Sequence, residues 1–117
     1  MTQTERRRHR RVSVSLPLTL TMRDQTVETR IDDLSSSGIR FCIPSELPLL
    51  SRVQIALELP EPDLGDATSS VALTGVVVRC KAVHEGGAPR FDTAIYFDDI
   101  SRRARGQLER FLANRSP

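Results

Sequence analysis

Apolar and polar residues alternate at every second position over much of the chain. The first such run predicts a half-buried β-strand, because residues that alternate with period two line one face of a sheet. Its apolar members are Val12, Val14, Leu16, Leu18, Leu20 and Met22. Pro17 falls on the outward phase of this run. Since proline donates no hydrogen bond to a strand ladder, we expect a sheet edge or a bulge there.

Five further segments show the same alternation, at residues 27–31, 39–43, 53–59, 71–83 and 91–97. Gly75 interrupts the fifth strand and predicts a bulge or a barrel bend. The period then changes, because Ser101 precedes apolar residues at helical spacing, namely Ala104, Leu108, Phe111 and Leu112. The pattern predicts a mainly β fold, a small six-stranded antiparallel barrel with a C-terminal helix over about residues 101–113.

Composition narrows the class of protein. A chain of 117 residues suits one domain, and the absence of tryptophan predicts a core of Val, Leu and Ile. No apolar run approaches the roughly 20 residues of a membrane span, and no apolar segment follows the basic N-terminus as in a secretory signal. We therefore expect a cytoplasmic protein without a membrane span.

The residues that usually carry catalysis or bind metals form no recognisable motif. Cys42 and Cys80 lie far apart in the sequence, and neither His9 nor His84 stands at ligand spacing from them. A structural zinc site needs about four such ligands. No nucleophile–base pair or phosphate-binding Walker loop is present. The sequence predicts no catalytic residue, no metal and no cofactor.

The net charge is only +2, but the basic residues crowd the two ends of the chain. The N-terminal cluster is Arg6, Arg7, Arg8, Arg10 and Arg11. Arginine presents a planar donor fork that suits phosphates and guanine edges, whereas lysine does not. We interpret residues 1–11 as a flexible arginine-rich arm and residues 12–117 as the barrel with its helix.

A second polar motif, Asp32-Asp33-Leu34-Ser35-Ser36-Ser37-Gly38, connects the second and third predicted strands. Asp and Ser hydrogen-bond to their own backbone in turns, and Gly supplies positive φ, so an ordinary turn explains this motif when it is taken alone. In a closed barrel, however, the start of the first strand and this connection can share one rim. The pair of motifs in this order favours a binding site.

The two motifs together resemble the PilZ domain, a bacterial receptor module for cyclic di-GMP. Arg7 to Arg11 fit RxxxR directly before a strand, and Asp33 to Gly38 fit [DN]xSxxG. The resemblance extends over nearly the whole chain, through segments such as "GVVVR" and the ending "AIYFDDISRRARGQLERFL". Ser37 stands where many members have a second glycine. The resemblance implies the barrel fold and cyclic di-GMP as the ligand.

The resemblance also implies roles for individual residues. Arg7 and Arg11 would hold guanine and phosphate, Asp33 and Ser35 would hold a guanine edge, and Gly38 would shape the turn, through close approach to the ligand or positive φ. Chemistry agrees, because guanine O6 and N7 accept from a guanidinium, while its N1–H and N2–H₂ groups donate to a carboxylate. Further candidates are Arg6, Arg8, Arg10 and Ser36, since Arg6 with Arg10 also fits RxxxR.

Two other functions remain as alternatives. One is a small barrel that binds DNA or RNA, but Tyr96 and the four phenylalanines fall mostly on inward phases and leave no stacking platform. The other is a PilZ-like adaptor that acts only through protein contacts, which would fit better if the motif arginines were missing. We expect a receptor, not an enzyme, that changes conformation on binding cyclic di-GMP and signals to a protein partner, without DNA or RNA.

Overall fold

The computed structural model describes residues 11–23, 25–61, 65 and 67–115. These residues form eight strands and one helix. The elements are β1 (Val12–Ser13), β2 (Pro17–Met22), β3 (Gln25–Arg30), β4 (Asp33–Leu34), β5 (Gly38–Ile43), β6 (Arg52–Pro60), β7 (Thr68–Glu85), β8 (Ala88–Asp99) and α1 (Arg102–Arg115). The predicted fold class, a mainly β barrel with a C-terminal helix, is confirmed.

The strand count is eight rather than six for two reasons. The first predicted strand is divided into β1 and β2, and the short strand β4 lies in the predicted connection that follows β3. Across the bend, Val14 N donates to Asp32 O at 3.1 Å and Ile31 N donates to Leu16 O at 3.0 Å. The two segments therefore stay paired while both change direction, as a strand must to turn a barrel corner.

This bent hairpin joins the two ends of the sheet. On one side of the bend β2 pairs with β6, and on the other side β4 pairs with β5. Strands β5, β8, β7 and β6 follow one another in antiparallel order between them. Strand β2 thus lies between β3 and β6, so of the two alternatives predicted for Pro17 the sheet edge does not apply, and Pro17 directly follows the break between β1 and β2. Pro17 is tolerated because it is the first residue of β2 and faces only Arg30 of β3 in the register.

The inward-facing side chains form one apolar core, with Leu20, Phe41, Leu57 and Val77 completely buried. The register of β7 against β8 shifts between Thr74 and Gly75, which confirms the predicted irregularity. A Cβ at Gly75 would lie 2.5 Å from Cγ2 of Ile95, so the core leaves no room for a side chain at the bend.

Helix α1 packs against the barrel through its apolar stripe, and Ala104, Leu108 and Phe111 are buried. The Ser101 hydroxyl accepts a hydrogen bond from Ala104 N at 3.1 Å, which satisfies one of the unpaired donors at the helix start. Within the described part of the chain, no helix is long and apolar enough to cross a membrane.

Candidate functional site

The structure brings Arg11 and Asp33 into direct contact. Ser13 of β1 is the register partner of Asp33 of β4, and this pairing places the residues before β1 beside the carboxylate. Arg11 Nη1 lies 2.5 Å from Asp33 Oδ1. Asp33 lies on a strand, not in the connecting loop that the sequence predicts, so the backbone pairing of β4 with β1 and β5 fixes the direction of its side chain.

The residues after Asp33 form a tight turn that is bonded to itself and to β8. Ser35 N donates to Gly38 O at 2.9 Å, and the buried Ser35 hydroxyl accepts from Ser37 N at 3.2 Å. Phe97 N of β8 donates to Ser37 O at 2.8 Å. Ser36 is half-buried within the turn. The Ser35 hydroxyl thus stabilises the turn, and a ligand that reached it would compete with Ser37.

Gly38 is required by the packing of the barrel. A Cβ at this position would lie 2.3 Å from the backbone oxygen of Ile95 on β8. The φ of Gly38 is not positive, since the glycines with positive φ in the described chain are Gly65, Gly86 and Gly87. Of the two reasons predicted for Gly38, positive φ does not apply, and the glycine permits close approach of β5 to β8.

A second ion-pair cluster lies next to Asp33, and no motif in the sequence predicts it. Arg40 of β5 is the register partner of Asp33, so both side chains leave the same outer face of the barrel. Arg40 donates through Nε and Nη2 to the two carboxylate oxygens of Asp92 on β8, at 2.9 and 2.8 Å. Arg79 Nε of β7 lies 3.5 Å from the same carboxylate. We call Arg11, Asp33, Arg40, Asp92 and Arg79 the arginine–aspartate row.

The row carries more positive than negative charge. The hydrogen bonds from Arg40 hold the pKa of Asp92 below its ordinary value, against the opposing effect of burial, and Arg79 and Lys81 contribute further. The same hydrogen bonds raise the pKa of Arg40, and Asp33 adds to that effect. Asp92 therefore stays ionised at neutral pH while its side chain is only 10% exposed. Because the cations outnumber the carboxylates, the row attracts an anionic ligand.

Two other sequence predictions concern residues near the row. Arg6, Arg7, Arg8 and Arg10 lie outside the described residues. Tyr96 was expected on an inward phase, but it is 55% exposed and is the register partner of Gly38. Its neighbours Ile95 and Phe97 take the inward positions instead.

A groove of about 450 Å³ lies away from the row, over the outer face of β2, β6 and β7. It is lined largely by small uncharged residues, including Thr19, Ala56, Ala72 and Thr74. Among the described residues, no three His, Cys, Asp or Glu side chains are arranged to hold a metal ion.

These features define a small antiparallel β-barrel whose outer face carries an arginine–carboxylate row beside a tight serine turn. The sequence model of the PilZ domain matches residues 5–114, and the chain belongs to the PilZ domain family. No curated protein matches the sequence significantly.

Solved structures of PilZ proteins share the fold. The structure of the Bacillus subtilis inhibitor of motility, MotI/DgrA, superposes with a TM-score of 0.75 at 16% identity, over 93% of this chain and 50% of that one. This chain thus spans half of that protein. The PilZ domain of YcgR from Escherichia coli, solved with cyclic di-GMP, gives 0.67 at 20% identity, over 94% and 91% of the two chains. The PlzA protein of Borreliella burgdorferi, also solved with cyclic di-GMP, gives 0.61 at 10% identity, over 97% and 55%.

Proposed function

We propose that this protein is a cyclic di-GMP receptor that binds the nucleotide on the outer face of the barrel, beside Asp33. The observation that carries the proposal is the contact between Arg11 and Asp33, because it joins the two motifs on which the PilZ resemblance rests. Two structural neighbours, the YcgR domain and PlzA, were solved with cyclic di-GMP. The positive balance of the arginine–aspartate row suits a ligand with two phosphodiesters.

In this proposal each motif residue has a role set by its chemistry. Arg7 and Arg11 hold guanine and phosphate, with Arg6, Arg8 and Arg10 as additional cations. Asp33 accepts from the N1–H and N2–H₂ groups of one guanine. Ser35 and Ser36 offer hydroxyl groups from the turn, and Gly38 keeps that turn close to β8.

The Arg11–Asp33 bridge suggests how binding changes the conformation. In the structure, Asp33, the candidate guanine acceptor, is paired with Arg11, the candidate phosphate donor. An exposed ion pair of this kind contributes only about 0–1 kcal/mol, so a ligand that satisfies both partners replaces it at little cost. Binding then turns Arg11 from Asp33 towards the nucleotide and carries residues 1–10 with it. The repositioned arm presents a new surface to a protein partner.

Isothermal titration calorimetry tests the proposal. We expect cyclic di-GMP to bind at least roughly tenfold more tightly than cyclic di-AMP, because adenine offers a donor where guanine has O6 and leaves Asp33 without its donors. GTP and a short RNA serve as controls for charge alone. Equal affinity for the two cyclic dinucleotides, or tighter binding of the RNA, would contradict the proposal and favour a nucleic-acid-binding barrel.

A further inference from the structure

The position of Arg40 next to Asp33 gives the site a second polar group with a fixed direction. The two residues are direct partners in the antiparallel register of β4 and β5. Side chains at such positions leave the same face of the sheet, with Cβ atoms about 5 Å apart. Arg40 is 45% exposed, so its guanidinium is available on the outer face of the barrel.

Asp92 holds that guanidinium from one side. Nε and Nη2 of Arg40 point to the carboxylate of Asp92, which is only 10% exposed and which Arg79 also approaches. This side-on arrangement leaves the Nη1 group and the outer N–H of Nη2 on the opposite edge. Among the described residues, Asp92 is the hydrogen-bonding partner observed for the Arg40 side chain. A guanidinium that is already held loses less rotational freedom when a ligand binds.

The chemistry of guanine supplies a partner for the remaining edge. If Asp33 accepts from N1–H and N2–H₂, then O6 lies next to N1 on the same edge of the base and needs a donor. Arg40 is the cation on the strand adjacent to Asp33. Adenine would place its N6 amino group there, so a donor would face a donor.

We propose that Arg40, held in position by Asp92, donates to guanine O6 and makes the site select guanine over adenine; this inference rests on the proposed function. Asp33 and Arg40 together then read all three polar groups of that base edge. Asp92 acts as a positioning residue, because its oxygens already accept from Arg40 and it does not touch the base. The alternative for Arg40, a contact to phosphate, would be indifferent to the base.

The test compares Arg40→Met with wild type by NMR titration, which measures weak and tight binding alike. The ligands are cyclic di-GMP, cyclic di-IMP and cyclic di-AMP. Hypoxanthine keeps O6 and N1–H but lacks the 2-amino group, so cyclic di-IMP isolates the O6 contact. We expect the variant to bind cyclic di-GMP and cyclic di-IMP about tenfold or more weakly, and cyclic di-AMP less than about threefold more weakly.

Arg52→Met is the matched control, because Arg52 is also an exposed arginine paired to a carboxylate, with Nε 3.1 Å from Asp98. Arg52→Met should weaken the binding of all three cyclic dinucleotides slightly and by the same factor. Asp92→Asn frees Arg40 without removing it, and should narrow the selectivity for guanine by less than Arg40→Met does. Circular dichroism checks that each variant is folded.

The outcomes separate the inference from the proposed function. If Arg40→Met weakens cyclic di-GMP and cyclic di-AMP by the same factor, Arg40 acts on phosphate or through charge alone, and the inference is wrong while the receptor function stands. If binding is unchanged in Arg40→Met, Arg40 contributes nothing to binding, and the inference is again wrong while the receptor function stands. If wild type binds no cyclic di-GMP, the proposed function itself fails, and the inference fails with it.

Discussion

The same substitution, glycine to alanine, should have opposite effects at two positions of this chain. At Gly38 the new Cβ would lie 2.3 Å from the Ile95 oxygen, whereas an ordinary contact is 3.4–4 Å. The obstacle is backbone, so β5 and β8 must separate locally by about 1 Å. That separation weakens neighbouring hydrogen bonds such as Phe97 N to Ser37 O, now 2.8 Å. Overpacking of this kind, with one or two strained hydrogen bonds, costs about 2–4 kcal/mol.

Gly106 provides the control. It lies within α1, and the nearest atom to a Cβ there is Arg110 Nη1 at 3.9 Å, so an alanine fits without movement. Alanine is the better helix former, and Gly106→Ala should stabilise the protein by about 0.5–1 kcal/mol. Urea unfolding measures both effects as shifts of the midpoint at constant m. If Gly38→Ala is as stable as wild type, the close approach of β5 to β8 is not as described, and our reason for the motif glycine is refuted.

Three further predictions address the ion pairs and the helix. Asp92→Asn should lower the free energy of unfolding by about 1–2 kcal/mol at neutral pH, a modest loss because Arg40 stays partly solvated. Folding lowers the pKa of Asp92, so in wild type this stabilisation is present at pH values above the ordinary pKa of 3.8 and is lost as the pH falls further. Urea unfolding at several pH values should therefore show that the stability of the variant depends less on pH in the acid range than that of wild type. Ser101→Ala removes the helix cap and should cost about 1 kcal/mol, measured by thermal unfolding. Arg11→Ala should weaken the binding of cyclic di-GMP roughly tenfold in calorimetry, and Arg10→Ala should weaken it much less. The reverse order would show that the RxxxR motif consists of Arg6 and Arg10 instead of Arg7 and Arg11.

The sequence predicted the elements of this fold well because burial of one strand face places apolar residues at every second position, and this alternation is visible in the sequence. Each of the six alternating runs corresponds to a continuous or bent strand, and Ser101 caps the helix. What alternation does not show is where a long strand bends. The breaks at residues 14–16 and 31–32 depend on β2 and β4 pairing with different neighbours, which is a property of the closed barrel.

The sequence predicted only those residues of the site that belong to local motifs. Arg11 and Asp33 belong to recognisable motifs, but Arg40 and Asp92 are 52 positions apart and meet only through the register of β5 on β8. One local signal was available, since Asp92 is a charged residue inside an apolar strand. Tyr96 was misplaced for a different reason. The alternation of Thr93, Ile95 and Phe97 already puts Tyr96 on the outward face, but it was grouped with the phenylalanines by its aromatic character.

The most direct test of the binding face is an NMR titration of isotope-labelled protein with cyclic di-GMP. The account predicts that the amide signals of Arg11, of residues 33–38 and of Arg40 shift as the nucleotide is added. Signals from the groove over β2, β6 and β7, such as those of Ala56 and Ala72, should stay nearly unchanged. Shifts concentrated in that groove, with residues 33–38 unaffected, would contradict the placement of the site.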